Sequence, residues 1–348
     1  MTGLAHVLLK ARDKNSVHTY SNCIDRHVRR LAEQQRVLAR KPRLAIAWND
    51  STDIISGTGG IGLFLLAAHA RGRGEGQGLS LAVAAGDGLL RQAQEVPLPE
   101  GVAGLRWQMQ PDFPREMPNY SHGTAGVCDF LIRLHAACAD EQNRAWVENY
   151  DSRFEQAAAA GGRYLVQCAE QSQQPSWIPH HSPGGEDLFY WGWCHGPTGT
   201  AAVFRQLAPS LPTDTASTLA RQAAERLLAA EPSAQRSAGF WDNPGLCCGS
   251  AGVGVFFLNQ YIATRDERYL AEAKKIAADL ERRALHASDA EGRSEYSWAT
   301  AEHRVRPEFR QTQTGLMQGA AGIGLFFLQL DAVERGSPQF DVFEDLLH

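Results

Sequence analysis

Five times along this chain a Gly-x-x-Gly pair stands directly ahead of an apolar run: TDIISGTGGIGLFLL, NYSHGTAGVCDFLI, GWCHGPTGTAAVF, GLCCGSAGVGVFFL and GLMQGAAGIGLFFL. The first glycines fall at 57, 123, 196, 249 and 319, so the frame recurs at intervals of 66, 73, 53 and 70 residues. Each interval has room for a helix, a returning helix and two loops. Repeats of this length mark architectures made from one supersecondary unit that cannot cover its own apolar face and must stack on its neighbours.

The segments after the glycines are apolar nearly all round, as in Ile61, Leu63, Phe64, Leu65 and Leu66, the pattern of a helix buried on every side. Between them lie amphipathic stretches. One runs from Thr213 to Glu231, with Ala216, Leu219, Ala220, Ala223, Leu227 and Leu228 at helical spacing and Thr213 or Asp214 as a cap after Pro212. Another runs from about Asp266 to Leu285, with Leu270, Ala273, Ile276, Ala277, Leu280 and Ala284 on one face. Strand-like alternation is scarce. The expected fold is all-α: helical hairpins side by side, buried helices as an inner ring and amphipathic ones as an outer ring, closed into an α/α toroid, or barrel. An open superhelical stack is the rival, and the apolarity of the inner set favours closure. We read 1–348 as a single domain whose N-terminal helical segment, 1–45, completes the ring. The glycines themselves are expected to let the inner helices start close together and to leave helix N–H groups accessible.

Composition narrows the function. With 348 residues, 43% hydrophobic and 21% charged, the chain can bury a large core. A net charge of -5 supplies no basic stripe for nucleic acid. The opening MTGLAHVLLKARDKNS has too short an apolar segment for a signal peptide, and no run approaches the roughly 18 apolar residues of a membrane span. A soluble, cytoplasmic protein is expected. The seven cysteines are odd in number and scattered, which argues for thiols rather than disulfides. Cys23, Cys128, Cys138 and Cys168 sit in helical text and read as small buried residues.

The residues just ahead of the glycines carry the chemistry. Immediately before the first glycine stand Ser56, His122, His195, Cys248 and Gln318; one place earlier stand Ile55, Ser121, Cys194, Cys247 and Met317. Equivalent places in a ring of hairpins meet at one end, so three cysteines and two histidines are expected together. Three cysteines, or two and a histidine, suit borderline-soft zinc with one position left open for water or substrate. Helix N-termini add partial positive charge that favours thiolates. No Cys-x-x-Cys pair is present, which argues against a structural zinc finger. Whether Cys248 or His195 is the third ligand stays open at this point. Asp53, four residues before Gly57, reads either as a helix cap or as an acid of the site, and His180 and His181 as a polar loop.

As a set, in this order, these motifs resemble the lanthionine synthetase C-like family, the cyclases of lanthipeptide biosynthesis: an aspartate-bearing glycine repeat, His-Gly-x-x-Gly, Trp-Cys-x-Gly, Cys-Cys-Gly, and a closing Gly-x-x-Gly, spanning about Asp53 to Leu330. The resemblance implies a toroid of about seven hairpins around one zinc ion, with Cys194 in the motif that opens at Trp193, Cys247, and Cys248 as ligands in the branch with three cysteines. It implies Michael-type addition of peptide cysteine thiols to dehydroalanine or dehydrobutyrine, with His122 and Asp53 handling protons. The dehydrated precursor peptide would come from a separate dehydratase or a kinase and lyase partner, making this a free-standing cyclase. His195 stands where the family often has tyrosine, and Tyr190 where some members carry a substrate-touching arginine; those two, with Trp193, are candidate substrate or ligand-supporting residues. Alternatives are addition of glutathione or another small thiol to dehydrated residues, a non-catalytic protein that binds a peptide or a kinase, and, last, a carbohydrate-active toroid, which would need a second carboxylate beside Asp53.

Overall fold

The computed structural model describes residues 14–143, 147, 150–211, 214–236, 243–288, 290–301 and 303–337. These hold ten α-helices: α1 Lys14–Gln34, α2 Thr58–Ala70, α3 Gly78–Gln92, α4 Thr124–Ala139, α5 Arg153–Glu170, α6 Pro197–Leu207, α7 Thr215–Ala229, α8 Ser250–Thr264, α9 Glu267–Arg283 and α10 Ala320–Glu334. Every glycine segment opens a helix of the even-numbered set that is apolar (α2, α4, α6, α8, α10), and an amphipathic helix precedes or follows each. No helix of the described residues is long and apolar enough to cross a membrane.

Two compact units divide the chain. The first takes 1–171, 181–183 and 203–217; the second takes 172–180, 184–202 and 218–348. In the first, α2 packs on α3, α4 on α5, and the apolar helices α2 and α4 on each other. In the second, α8 packs on α9 and against α10. The amphipathic readings hold for α9, which buries Leu270, Ala273, Ile276, Ala277 and Leu280 and is capped by Asp266 through the Arg268 N–H at 3.0 Å. They hold for α7 too, where Ala216, Leu219, Ala220, Ala223 and Leu227 are buried. The cap proposed at Thr213 lies outside the described residues. α10 departs from burial on every side: Ile323, Phe326, Leu330 and Val333 are buried while Leu328 is 53% exposed.

The apolar helices pack through a repeated device. A Cβ on Gly62 would lie 2.3 Å from the Phe130 ring, and one on Gly254 would lie 2.4 Å from the Phe326 ring. Both glycines stand five places after the first glycine of their repeat, and both phenylalanines seven places after the first glycine of the following repeat. The missing side chain lets two helices come together with one ring between them.

The sequence offered little sign of strands, and the described residues hold eight short ones in four antiparallel pairs: β1 Arg36–Ala39 with β2 Ala45–Ala47, β3 Gln94–Pro97 with β4 Ala103–Arg106, β5 Leu285–Ser288 with β6 Ser294–Ser297, and β7 Ala299–Ala301 with β8 Arg310–Thr312. At three or four residues they are too short to alternate visibly. They lie on the way from an amphipathic helix to the next apolar one, and a tryptophan nearby fastens each stretch back: Trp48 Nε1 donates to Leu31 O, Trp107 Nε1 to Leu89 O, and Trp298 Nε1 to Leu280 O, at 2.7 to 2.8 Å. Each indole thus satisfies its single donor, and Trp107 and Trp298 bury their rings as well.

Candidate metal centre and its neighbours

The loop ahead of each apolar helix folds back over the helix start. Thr58, Gly59 and Gly60 donate their N–H groups to Ser51, Thr52 and Asp53 carbonyls; Ser250 and Ala251 donate to Asn243 and Pro244; Ala320 donates to Gln313. The glycines make this possible, because a Cβ at Gly252 would lie 2.0 Å from Leu246 O and one at Gly57 2.5 Å from Ser51 O. This corrects the expectation of accessible helix N–H groups at α2, α8 and α10: donors of the first turn are taken there by the loop's own carbonyls. The cysteines ride on that loop.

In the second unit the loops are stitched in series. Cys194 N–H donates to Cys247 O at 3.2 Å, and Cys247 N–H donates to Met317 O at 2.8 Å. Gly192 permits the first approach, since a Cβ there would meet Cys247 O and Cys248 Cα at 2.9 Å. The result brings three sulfurs together: Cys194 Sγ is 3.0 Å from Cys248 Sγ, Cys248 Sγ is 3.4 Å from Cys247 Sγ, and all three lie within 4.8 Å of one another. Among the described residues this is the one cluster of three ligand atoms close enough to hold a metal, and His195 is not part of it.

Zinc fits this donor set. Sulfurs held tetrahedrally at about 2.3 Å from an ion stand about 3.8 Å apart, so the pairs at 3.0 and 3.4 Å would need to part by less than 1 Å to take one. Three thiols so close resist ionising by themselves. Hydrogen bonds with Cys247 and Cys248, and then burial, push the Cys194 thiol well above its ordinary range. For Cys248 the hydrogen bond with Cys194 works the other way, but that with Cys247, together with burial, prevails and raises it. A dication reverses the balance by stabilising the thiolates. Three such ligands, with no fourth in the cluster among the described residues, would leave a bound ion one open coordination position.

Three of the predicted neighbours gather beside this cluster. Tyr190, Trp193 and His195 are buried. The His195 ring lies 4.1 Å from that of His180, which in turn sits 4.4 Å from the Tyr190 ring. Burial raises the Tyr190 phenol above its ordinary value, against a lowering influence from the Arg304 guanidinium. His180 and His181 lie on a loop, as the sequence suggests, and there His181 is buried while His180 packs in this group. Two adjacent histidines in a stretch rich in tryptophan were the available signal.

The first unit joins the other two predicted residues. Asp53 is fully buried; its Oδ1 accepts from the Ser56 N–H at 2.8 Å, and its Oδ2 lies 2.6 Å from His122 Nδ1. The helix itself begins after Gly57 without a side-chain cap. Asp53 therefore braces a turn and a histidine rather than a helix end. With Nδ1–H donated to the carboxylate, the basic nitrogen of His122 is Nε2, and the side chain keeps 28% exposure.

Of the four cysteines read as buried, Cys128 and Cys138 are buried and Cys168 is intermediate; burial pushes the Cys138 and Cys168 thiols up to about 12. Cys23 is exposed, on a face of α1 that the amphipathic pattern assigns to solvent, so it is not a core residue.

Alternating apolar and amphipathic helices, with three thiols gathered on the loops that cover the apolar helix starts, define a helical-hairpin protein with a cluster of three cysteines able to hold a metal ion. Residues 1–342 match the family model described as "Lanthionine synthetase C-like protein", and the chain belongs to that family. Among solved structures it is similar to nisin cyclase, with a TM-score of 0.60 and 16% identity over 99% of this chain and 78% of that one. The likeness shows the fold, an α/α toroid. A family 76 glycoside hydrolase from a bovine Bacteroides thetaiotaomicron strain shares the architecture more loosely, with a TM-score of 0.50 and 13% identity over 94% of this chain and 67% of that one. No curated protein matches the chain in sequence.

Proposed function

We propose that the chain is a zinc-dependent lanthipeptide cyclase of the branch with three cysteine ligands. It would add cysteine thiols of a dehydrated precursor peptide to dehydroalanine or dehydrobutyrine and so close lanthionine and methyllanthionine rings. The observation that carries this reading is the convergence of Cys194, Cys247 and Cys248 within 4.8 Å, in a family with a solved fold relative named as a cyclase. When bound, zinc would supply the Lewis acidity that keeps a substrate sulfur deprotonated at neutral pH.

The protein's residues account for the rest. The three cysteines hold the ion and leave it one open position. In the addition a C–S bond forms at the β-carbon, the alkene π pair becomes an enolate, and the α-carbon takes a proton, so no atom is lost. His122 is assigned delivery of that proton from Nε2, and Asp53 holds the ring in the required tautomer and stabilises its charged form. Tyr190, His195 and Trp193 are assigned contacts that hold the ligand loop and the substrate. The substrate must be dehydrated beforehand, which calls for a separate dehydratase or a kinase and lyase partner. The free cysteines of the described residues suit the reducing cytoplasm.

Metal analysis combined with incubation on a dehydrated, cysteine-containing peptide tests the reading. One zinc per chain is expected, with peptide thiols becoming resistant to alkylation at unchanged peptide mass. Cys194→Ala should lose both. A protein that closes rings without metal, or holds zinc and leaves every thiol alkylatable, overturns the proposal.

A further inference from the structure

Just ahead of Cys194 the chain presents alternate side chains to opposite sides, as an extended segment does. Tyr190 packs with His180 and His195. Asp187, Phe189 and Trp191 instead line an open cleft of about 540 Å³ within the second unit, together with Trp177, Gln174 and Arg226. Trp177 and Trp191 are 6% and 7% exposed, so their rings form fixed walls rather than mobile surface groups.

Arg226, in the last turn of α7, is held in a set pose. Its guanidinium lies 5.5 Å over the Trp177 ring; Nη1 donates to Pro175 O at 3.2 Å and Nη2 to Gln174 Oε1 at 2.5 Å. Those bonds use two of the five guanidinium N–H donors. An arginine stacked on an indole and braced by two neutral acceptors is prepared for a carboxylate without further loss of side-chain freedom. The ring walls require an apolar occupant, and the cleft is open along one side, which suits a length of chain better than an enclosed small molecule. Asp187 at the exposed rim disfavours a second acidic residue.

We propose that this cleft binds the peptide substrate, taking one aromatic or large aliphatic side chain next to one acidic residue in the segment beside the reacting cysteine. The inference rests on the cyclase reading for the identity of its occupant. Its place follows from chain reach: Trp191 precedes Cys194 by three residues, so their Cα atoms are at most about 11 Å apart. That reach allows a peptide held in the cleft to carry its apolar and acidic pair within a few residues of the cysteine presented to the metal.

The full-length, zinc-loaded protein is titrated by fluorescence anisotropy with two fluorescein-labelled peptides, Gly-Phe-Asp-Gly-Ser-Gly-Cys and Gly-Ser-Asn-Gly-Ser-Gly-Cys, neither of which contains a dehydrated residue. The first is expected to bind at least tenfold more tightly. That ratio should collapse in Arg226→Gln and Trp191→Leu. Because either change disturbs packing, Arg226→Glu is tested with Gly-Phe-Arg-Gly-Ser-Gly-Cys, and recovery of tight binding supports the cleft by a charge exchange that an unfolded variant cannot show. Cys194→Ala should weaken both original probes alike and preserve their ratio, which separates failure of the metal reading from failure of the cleft. Equal affinities in the wild type, a ratio that survives Arg226→Glu, or a self-association abolished by Arg226→Glu would each overturn the inference.

Discussion

Asp53 and Gly192 hold the same place in the repeat, four residues before its first glycine, and act in opposite ways. Asp53 works through its carboxylate, which binds Ser56 on one side and His122 on the other. Asp53→Asn keeps an acceptor for Ser56 but turns a donor toward His122 Nδ1, forcing the other tautomer. Ring closure is expected to slow by about a hundredfold, the lower end of proton-transfer contributions, with zinc content unchanged; steady-state rates on the dehydrated peptide check it. A normal rate would assign the proton to another group. Gly192 works by having no side chain. Gly192→Ala places a methyl 2.9 Å from Cys247 O and Cys248 Cα, and should part the two ligand loops. We expect zinc affinity to fall about tenfold or more, read by chelator competition, while helical circular dichroism stays the same. At this scale the sequence showed the residue types well. It named Cys248 as the third ligand with His195 as its rival, because neighbouring residues on a loop face different ways and no local pattern says which meets the other cysteines.

Among the elements, the alternation of apolar and amphipathic helices was legible, since a period near 3.6 is a local property. The Gly62–Phe130 and Gly254–Phe326 contacts were not, because each joins residues about seventy apart in the chain. Gly254→Ala is predicted to destabilise by about 1–3 kcal/mol through overpacking, measured by urea unfolding. Adding Phe326→Leu should recover part of that loss; if the double variant is worse than the single one, the ring is not the obstacle. The hairpins and their tryptophans were also missed. Strands of three or four residues leave almost no periodic trace, and an indole bonded to a carbonyl 17 or 18 residues earlier reads in sequence as one more aromatic.

For the molecule as a whole, the cluster closes a long loop, since Cys194 and Cys248 are separated by 54 positions. Metal that binds only the folded state adds to stability by mass action, about 2.7 kcal/mol at a hundred times its dissociation constant. Chelator-treated protein should therefore melt several degrees below the zinc-loaded form, with the difference absent in Cys194→Ala. Coincident melting curves in the wild type would show that the three thiols hold no metal under those conditions.

The sequence by itself determined the helical alternation, the five-fold glycine frame and the store of soft ligands, because each is written in residue type and short-range spacing. Only the tertiary structure decided which donors meet: that Cys248 rather than His195 completes the cluster, that Asp53 reaches His122, and that the helix N–H groups are spent on their own loops. Those outcomes depend on backbone hydrogen bonds and ring contacts between segments far apart in the chain, which packing sets and local pattern does not encode.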